Sequence, residues 1–368
     1  MRSEAIFKRN SRATRITHYA FTYTSGMKIV FCGGGTAGHV TPNLALADKL
    51  QDHELYYIGT NGMEQGLVKP YIDGGKIKGY YTISANKLRR KLTLKNLLLP
   101  FQLIKSVREA KTHLKALCPD VVFSKGGYAG LPVVIAAKKL KIPTIIHESD
   151  MSLGLANRIC KRYADVFLSA FDCDKSAKVV GLIIRDGIMK GSREKGLATM
   201  GFDGKKPILF VMGGSLGAQA LNEAICNSEG LADKFDVFVS TGKGKKVDCN
   251  FVKQAEYVTN IADVFAATDV CVTRAGSTSL AELTLATVPF VTVPLTKCSR
   301  GEQVNNAKWF VDRGCGITAT EDEQLPGKLA SAVNVAYDNR EAIMLQQRKQ
   351  RDALYGTDRV VEEILKIK

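Results

Sequence analysis

The sequence lacks several features that would assign it to a specialised class of protein. No stretch approaches the ~18 consecutive apolar residues that a membrane-spanning helix needs, and residues 1–26 contain no apolar core of a secretory signal. The nine cysteines are scattered, without a CxxC pair or a Cys/His pair at metal-ligand spacing. These absences argue against a transmembrane, secreted or cysteine-metal protein and favour a reduced, cytosolic compartment.

Acidic residues are scarce relative to basic ones. The chain of 368 residues has 36 Asp and Glu against 52 Lys and Arg, which gives a formal net charge of +16 at pH 7. Such an excess predicts an anionic partner, which could be nucleic acid, a membrane surface or a phosphorylated substrate. Residues 1–26 carry five basic residues and one acidic residue without any helical or strand period, and we expect a disordered extension there.

Two strand–glycine–helix units dominate what is present. Lys28–Cys32 is a predicted buried strand, followed by Gly33, Gly34 and Gly35 and by a helix with Thr41 as its N-cap. Pro207–Met212 is a second predicted strand, followed by GGSLG and a helix beginning near Ala220. A helix N-terminus after a glycine loop offers free N–H groups to an anion. One such turn can be purely structural, but two predict paired α/β domains that hold a nucleotide between them.

Other strand ends carry polar or small residues. Asp120–Phe123 precedes the loop Ser124–Gly130 and a helix over Leu131–Leu140, and the strand Pro143–Ile146 leads into His147-Glu148-Ser149-Asp150. Ligands of open α/β sheets bind beyond such carboxyl ends. The second strand ends Ile58-Gly59-Thr60, without the acidic residue of a dinucleotide fold, which argues against a nicotinamide enzyme.

In the second half, predicted strands cover Val237–Ser240, Glu256–Val258 and Val270–Thr273. The last strand leads into Arg274-Ala275-Gly276-Ser277 and a helix. This turn suits an anion, with Gly276 and Ser277 as candidate ligands. Glu282, further along the helix, could accept hydrogen bonds from sugar hydroxyls or could be an ordinary solvated glutamate.

The segment 87–101 combines positive charge with apolar side chains. Cations suited to an anionic membrane surface alternate with leucines; the candidate membrane residues are Lys87, Arg89, Arg90, Lys91, Leu97, Leu98 and Phe101. The leucines could instead begin a core helix, because Leu103, Ile104 and Val107 continue the period. Nucleic acid is disfavoured, since no aromatic residues interleave with the cations.

Several motifs together resemble the MurG family of UDP-N-acetylglucosamine transferases, which complete the lipid-linked peptidoglycan precursor. They are GGGTAGHVTPNLALA, HESDMSLGLANR, GGSLGAQALN and TRAGSTSLAELTLATVPFVTVPL with GEQVNNA. The resemblance covers nearly the whole chain from Met27. It implies an α/β GT-B fold, in which two Rossmann-like parallel-sheet domains face each other across a cleft. The implied boundaries are an extension at 1–26, an acceptor and membrane domain at 27–184, a UDP-sugar domain at 185–339 and returning helices at 340–368.

The resemblance also implies the roles of individual residues. Arg185 and Ser215 resemble ligands of the donor diphosphate or sugar, Glu282 resembles the residue that holds the ribose, Val258 one that meets uracil through its backbone, and Gln303 a sugar contact. The first glycine loop matches at Thr36, Ala37, Gly38 and His39. The chain departs from the family where HEQN is replaced by HESD and where Gly-Asn-Pro-Val-Arg is replaced by Gly181-Leu-Ile-Ile-Arg185.

The implied reaction moves N-acetylglucosamine from UDP-N-acetylglucosamine to the 4-hydroxyl of undecaprenyl-pyrophosphoryl-N-acetylmuramoyl-pentapeptide, with inversion. It needs a base for the hydroxyl proton and positive potential for the leaving UDP. His39 is the candidate base, or else a structural loop histidine, and Glu148 is the reserve. No metal and no cofactor are expected, and we interpret Asp172-Cys173-Asp174 as a solvated turn. The expected location is the cytoplasmic face of the cell membrane, as a peripheral protein.

Two other functions fit the same residues. One is another GT-B glycosyltransferase with a lipid acceptor, such as diacylglycerol. The other is a non-catalytic nucleotide-sugar-binding adaptor at the membrane. Donor turnover separates a catalyst from an adaptor, and the choice of acceptor separates the two enzymes.

Overall fold

The computed structural model describes residues 26–85, 99–214, 217–228, 230–296 and 301–367. The first unit of the fold is built from alternating strands and helices. They are β1 (Lys28–Cys32), α1 (Thr41–Lys49), β2 (Glu54–Gly59), α2 (Met63–Asp73), β3 (Gly79–Thr82), α3 (Leu99–Leu117), β4 (Val121–Ser124), α4 (Gly127–Lys139), β5 (Thr144–Glu148), α5 (Leu155–Cys160), β6 (Val166–Ser169) and β7 (Lys178–Val179).

The second unit repeats the alternation. It contains α6 (Arg193–Met200), β8 (Ile208–Met212), α7 (Gln219–Cys226), α8 (Leu231–Lys234), β9 (Asp236–Ser240), β10 (Val252–Ala255), α9 (Ile261–Ala267), β11 (Val270–Thr273), α10 (Ser277–Ala286), β12 (Phe290–Thr292), α11 (Glu302–Val311), β13 (Ile317–Thr318) and α12 (Leu325–Asp338). Two helices end the described chain, α13 (Arg340–Leu354) and α14 (Thr357–Leu365).

Each unit contains one parallel sheet, and the two sheets share the same topology. The first sheet has the strand order β3-β2-β1-β4-β5-β6-β7 and the second β10-β9-β8-β11-β12-β13. In each sheet the order reverses between the first strand and its neighbour, β1 and β4 or β8 and β11. The loops after those strands diverge and leave a crevice at the carboxyl edge, where open α/β sheets bind ligands. The two parallel-sheet units predicted from the glycine motifs are therefore confirmed.

Helices cover both faces of each sheet. In the first unit, α1 and α14 pack on one face through Leu46, Val360 and Ile364, and α3 and α4 on the other through Leu114 and Val133. These side chains are almost fully buried, as the unbroken apolar composition of the parallel strands predicts.

The chain crosses between the units twice, and the crossings lie side by side. Leu182 N donates to Leu354 O at 2.7 Å, and Gly356 N donates to Leu182 O at 2.8 Å. Thr357 Oγ1 accepts from Ile184 N at 2.8 Å and donates to Ile184 O at 2.6 Å. After the second crossing α14 packs against α1, whereas α13 packs against α10.

Several boundaries differ from those predicted. Helix α1 begins at Thr41 with Val40 as its cap, because the Thr41 hydroxyl donates to Ala37 O instead of capping the helix. Helix α4 begins at Gly127, inside the predicted glycine loop. His147 and Glu148 are the last residues of β5, so that only Ser149 and Asp150 lie beyond the strand.

The predicted strand Glu256–Val258 is wrong. The strand β10 runs four residues earlier, at Val252–Ala255, and pairs with β9. Half of its sequence, VKQA, is polar because the strand lies at the edge of the sheet. The segment therefore lacks the apolar run from which a strand is predicted. The final helical region is also interrupted at the second crossing.

Candidate active site

His39 stands in the loop that follows β1. The residues Ala37–His39 form a short 3-10 turn between the glycines and α1. Thr36 and Gly38 are exposed, whereas Ala37 and His39 are half-buried. The Thr36 hydroxyl lies 3.0 Å from His39 Nδ1, which orients the imidazole on the loop.

The loop after β4 meets the loop after β1 beside this histidine. Gly127 has a φ of +75°, and a Cβ added there would lie 2.5 Å from Gly34 O and 3.2 Å from His39 Nδ1. Only glycine leaves room for both contacts. The crevice between β1 and β4 therefore brings His39 against the N-terminus of α4.

A buried glutamate that the sequence analysis missed supports the first loop. Glu64 on α2 is fully buried, and its carboxylate accepts from Thr60 N at 3.0 Å and from Gly35 N at 3.4 Å. A Cβ on Gly34 would come within 2.5 Å of Glu64 Oε1. We expected this loop to offer its N–H groups to an anion. One of them, the N–H of Gly35, instead donates to the carboxylate of Glu64.

A buried cation lies beneath the second loop. Lys125 is 2 % exposed, and its ammonium donates to the Ser149 hydroxyl. Burial lowers the pKa of Lys125 to about 8, although the charges of Glu148 and Asp150 act to raise it. The sequence signal was a lysine between a strand and GG, which we did not single out.

The carboxylate of Glu148 is bonded to the loop that follows it. Its Oε1 accepts from Ser149 N at 2.9 Å and Asp150 N at 3.1 Å, and its Oε2 from Gly154 N and Asn157 Nδ2, both at 3.0 Å. These four bonds hold the loop between β5 and α5. They favour a structural role for Glu148 over that of the reserve base.

The second unit carries its own glycine loop, between β8 and α7. Gly217 has a φ of +66° and packs so closely that a Cβ would lie 2.0 Å from Thr241 O. Lys245, in the following TGKGKK loop, donates from Nζ to Gly217 O at 3.2 Å. The sequence analysis overlooked this basic glycine-rich segment. The predicted ligand Ser215 lies outside the described residues.

The loop after β11 forms the other wall of the second crevice. Gly276 caps α10, and Ser277 is buried in its first turn. Arg274 points away from the crevice, because it pairs with Glu321 at 2.7 Å and donates to Val293 O at 3.1 Å. Arg274 therefore supports the turn that presents Gly276 and Ser277.

Two predicted donor ligands contact each other. Arg185 Nη2 lies 3.5 Å from Glu282 Oε1, with half of the arginine side chain exposed. Burial raises the pKa of the Glu282 carboxyl, and the neighbouring Arg185 lowers it in part. The pair joins the first crossing to α10, the helix that begins at the carboxyl edge of the second sheet.

The two remaining predicted donor contacts, Val258 and Gln303, both lie in the second unit. Val258 follows β10 with its side chain in the core, so that only its backbone is available to a ligand. Gln303 on α11 accepts from Leu295 N at 3.0 Å. This bond places the Gln303 amide beside the loop that follows β12.

Most of the predicted membrane segment lies outside the described residues, namely Lys87, Arg89, Arg90, Lys91, Leu97 and Leu98. In helix α3, Phe101 is 72 % and Ile104 51 % exposed. Lys105 and Arg108 are exposed on the same helix, whereas Val107 is buried. Of the residues that continue the period of the core-helix alternative, Leu103 packs against the core and Val107 is buried in it, whereas Ile104 is exposed. For Leu97 and Leu98 the alternative stays a prediction.

The described ranges contain neither a cluster of metal ligands nor a membrane-spanning helix. No three His, Cys, Asp or Glu side chains in them lie close enough to hold a metal ion. Asp174 of the Asp-x-Asp turn pairs with Lys161, which holds the pKa of its carboxyl well below its usual range. Within the same ranges, no helix is long and apolar enough to cross a bilayer.

Comparison with known proteins gives the same two-part division. Residues 29–169 match the glycosyltransferase family 28 N-terminal domain, and residues 208–364 match the glycosyltransferase family 28 C-terminal domain. A crystal structure of Acinetobacter baumannii MurG superposes with a TM-score of 0.70 at 26% identity, covering 92% of this chain and 99% of that one.

Curated relatives carry a specific name. A UDP-N-acetylglucosamine--N-acetylmuramyl-(pentapeptide) pyrophosphoryl-undecaprenol N-acetylglucosamine transferase of Lachnoclostridium phytofermentans is 40% identical, covering 92% of this chain and 99% of its own. A relative of the same name from Staphylococcus haemolyticus is 39% identical over the same shares. The resemblance to MurG is confirmed, and the chain belongs to the MurG group of glycosyltransferase family 28.

Proposed function

We propose that this protein transfers N-acetylglucosamine from UDP-N-acetylglucosamine to the 4-hydroxyl of undecaprenyl-pyrophosphoryl-N-acetylmuramoyl-pentapeptide. The product is the lipid-linked disaccharide precursor of peptidoglycan. The observation that carries the proposal is the similarity, at 40% identity over 92% of the chain, to a transferase named for this reaction. Two crevices at the carboxyl edges of two parallel sheets supply one place for each substrate.

The donor binds in the second crevice. Glu282 accepts hydrogen bonds from the ribose, and Arg185 beside it contacts the diphosphate or sugar. Gly276 and Ser277 offer the N-terminus of α10, Val258 meets uracil through its backbone, and Gln303 contacts the sugar. The contact between Arg185 and Glu282 at 3.5 Å supports a shared ligand for the two residues.

The acceptor binds in the first crevice, where His39 takes the proton of its 4-hydroxyl. As the hydroxyl oxygen forms its bond to the anomeric carbon, the bond from that carbon to the UDP oxygen breaks on the opposite face, which inverts the configuration. The Thr36 hydroxyl, 3.0 Å from His39 Nδ1, orients the imidazole that takes this proton. An imidazole has an ordinary pKa close to working pH, as a general base requires.

The leaving UDP gains negative charge as its bond to the sugar breaks. The N-terminus of α7 after the second glycine loop supplies N–H groups and a positive helix end. Lys245 adds an ammonium on that loop, through its bond to Gly217 O. These groups stabilise the negative charge that develops on the diphosphate.

The acceptor side of the molecule meets the membrane surface. Phe101 and Ile104 expose apolar area next to Lys105 and Arg108, and the basic segment 87–91 lies seven residues before this helix in the sequence. Cations and apolar side chains together suit an anionic bilayer. A lipid-linked acceptor on the cytoplasmic face would then reach the first crevice without leaving its membrane.

The test is an assay of the purified protein with labelled UDP-N-acetylglucosamine and either a lipid-linked muramoyl-pentapeptide or diacylglycerol. Transfer to the muramoyl acceptor alone is expected. Transfer to diacylglycerol would favour the other glycosyltransferase, and donor binding without turnover would favour the adaptor.

Membrane binding is tested by sedimentation with vesicles containing anionic lipid. Changing Arg89, Arg90 and Lys91 to Glu should reduce pelleting at low salt and have less effect at high salt, because exposed charges are screened over about 8–10 Å. The wild-type protein on neutral vesicles is the control. Equal pelleting of both proteins at both salts would contradict the role of the charges.

A further inference from the structure

One buried amide joins the loops of the two units. Asn306 on α11 is 1 % exposed. Its Nδ2 donates to Asp150 Oδ1 and to Ala275 O, both at 3.1 Å, and its Oδ1 accepts from Met151 N at 3.2 Å. Asp150 and Met151 belong to the first unit, whereas Ala275 belongs to the second.

The chemistry of the partners fixes the orientation of this amide. A carboxylate oxygen and a carbonyl oxygen only accept hydrogen bonds, so that both N–H groups of Asn306 must face them. The backbone N–H of Met151 only donates and therefore requires the Asn306 oxygen. Rotating the amide by 180° would break all three bonds, which means that Asp150 and Asn306 hold each other in one arrangement.

Both ends of this contact lie at the proposed site. Ala275 immediately precedes Gly276 and Ser277 on the donor side. Asp150 lies in the loop anchored by Glu148 on the acceptor side. One helical turn beyond Asn306, the ring of Trp309 packs edge-on against Phe171 of the first unit at 5.0 Å. Helix α11 therefore contacts the first unit along one face, and Asn306 is the polar contact closest to the donor turn.

We propose that Asp150 is a positioning residue for glycosyl transfer. Through Asn306 it holds the acceptor-side loop against the donor-side turn, in the arrangement that brings the acceptor hydroxyl to the anomeric carbon. The inference rests on the proposed function, because it assumes a donor in the second crevice and an acceptor in the first. Asp150 stands where the family pattern HEQN has an amide, and a carboxylate makes the pairing with Asn306 one-directional.

Removal of this contact should affect turnover more than binding. We expect Asp150→Ala to lower kcat about 10- to 100-fold, since a misplacement of about 1 Å can cost about 100-fold in rate. The affinity for UDP-N-acetylglucosamine, measured by calorimetry, should change less than about twofold, because the donor ligands all lie outside this contact. The thermal unfolding midpoint shows whether the variant remains folded.

A reciprocal exchange separates positioning from a general loss of structure. Asn306→Asp alone puts two carboxylates opposite each other and should lower kcat at least as far as Asp150→Ala. Adding Asp150→Asn to that variant restores an amide–carboxylate pair in the reverse sense, while the hydrogen bond to Ala275 O stays lost in both variants. Because only the contact between positions 150 and 306 differs between them, kcat should recover about tenfold. Asn305→Asp, an exposed substitution of the same type on the same helix, is the matched control and should leave kcat unchanged.

The outcomes divide clearly. Recovery of kcat in the double variant supports the proposal, provided that donor affinity is unchanged in Asp150→Ala and equal in Asn306→Asp and the double variant. Either a double variant no faster than Asn306→Asp, or a loss of donor affinity in Asp150→Ala as large as its loss of kcat, would overturn it. Failure of the wild-type protein to transfer sugar to the muramoyl acceptor would overturn the proposed function instead.

Discussion

The buried ammonium of Lys125 should make the stability of the protein depend on pH in a predictable direction. We consider the variant Lys125→Met, which keeps a long unbranched side chain and removes the charge. Burial lowers the pKa of Lys125 from its ordinary 10.5 to about 8 in the folded protein. Between these two pH values the unfolded chain binds more protons than the folded one, so that the wild-type free energy of unfolding rises with pH.

The size of the effect follows from the shift. With one pKa unit equal to about 1.4 kcal/mol, keeping Lys125 charged and buried costs about 3 kcal/mol at pH 7. Between about pH 7 and pH 9.5 roughly 2 kcal/mol of this cost is relieved as the buried lysine loses its proton. Since Met does not titrate, the stability of the variant relative to the wild type should fall by roughly that amount over the same range.

Urea unfolding of both proteins at several pH values measures this difference. Groups common to both proteins cancel in the comparison, and the exposed Lys115→Met controls for the loss of one lysine and should show no comparable slope. A difference between Lys125→Met and wild type that stays constant from pH 7 to 9.5 would refute the reasoning. It would mean that the hydrogen bond to Ser149 and the nearby carboxylates offset the free-energy cost of removing the charged Lys125 from water.

Three further predictions concern the site. His39→Ala should lower turnover strongly with donor affinity nearly unchanged; wild-type turnover at saturating acceptor would return His39 to a structural role. Glu282→Ala should weaken donor binding in calorimetry far more than acceptor binding. Wild-type donor affinity should also fall as pH drops through the raised pKa of Glu282, a dependence that the variant should lack. Lys245→Met should weaken UDP binding about 10- to 160-fold and uridine binding hardly at all, because a charged hydrogen bond to phosphate is worth roughly 1.5–3 kcal/mol. Lys246→Met on the same loop is the control, and an equal loss for UDP and uridine would assign Lys245 to loop structure.

Local patterns were sufficient for the central elements. The predicted bounds of Lys28–Cys32, Glu54–Gly59 and Val270–Thr273 are those of β1, β2 and β11, because buried parallel strands form unbroken apolar runs. The prediction failed where tertiary context overrides local preference. Gly127 begins a helix despite its poor helix propensity, and β10 forms from a polar segment because it needs to bury little at the sheet edge.

The site was predicted as a set of residues but not as a set of contacts. Motif resemblance gave His39 and Glu282 their candidate roles. It gave no sign that Glu64 bonds to Gly35 or that Asn306 bonds to Asp150, since these partners are 29 and 156 residues apart in the chain. Such pairs depend on the packing of whole elements, which no spacing in one sequence encodes.

The double crossing between the units has a mechanical consequence. A single linker would let one unit rotate relative to the other about several axes. Here two adjacent segments connect the units. They are joined by the bonds of Leu182 to residues 354 and 356 and of Ile184 to Thr357. Two such connections restrict rotation of the units to a single hinge axis. Any opening of the cleft would then be confined to rotation about that axis, and the loops on its two walls would each follow a fixed arc. When the cleft closes, the same residues return to register without a search through other orientations.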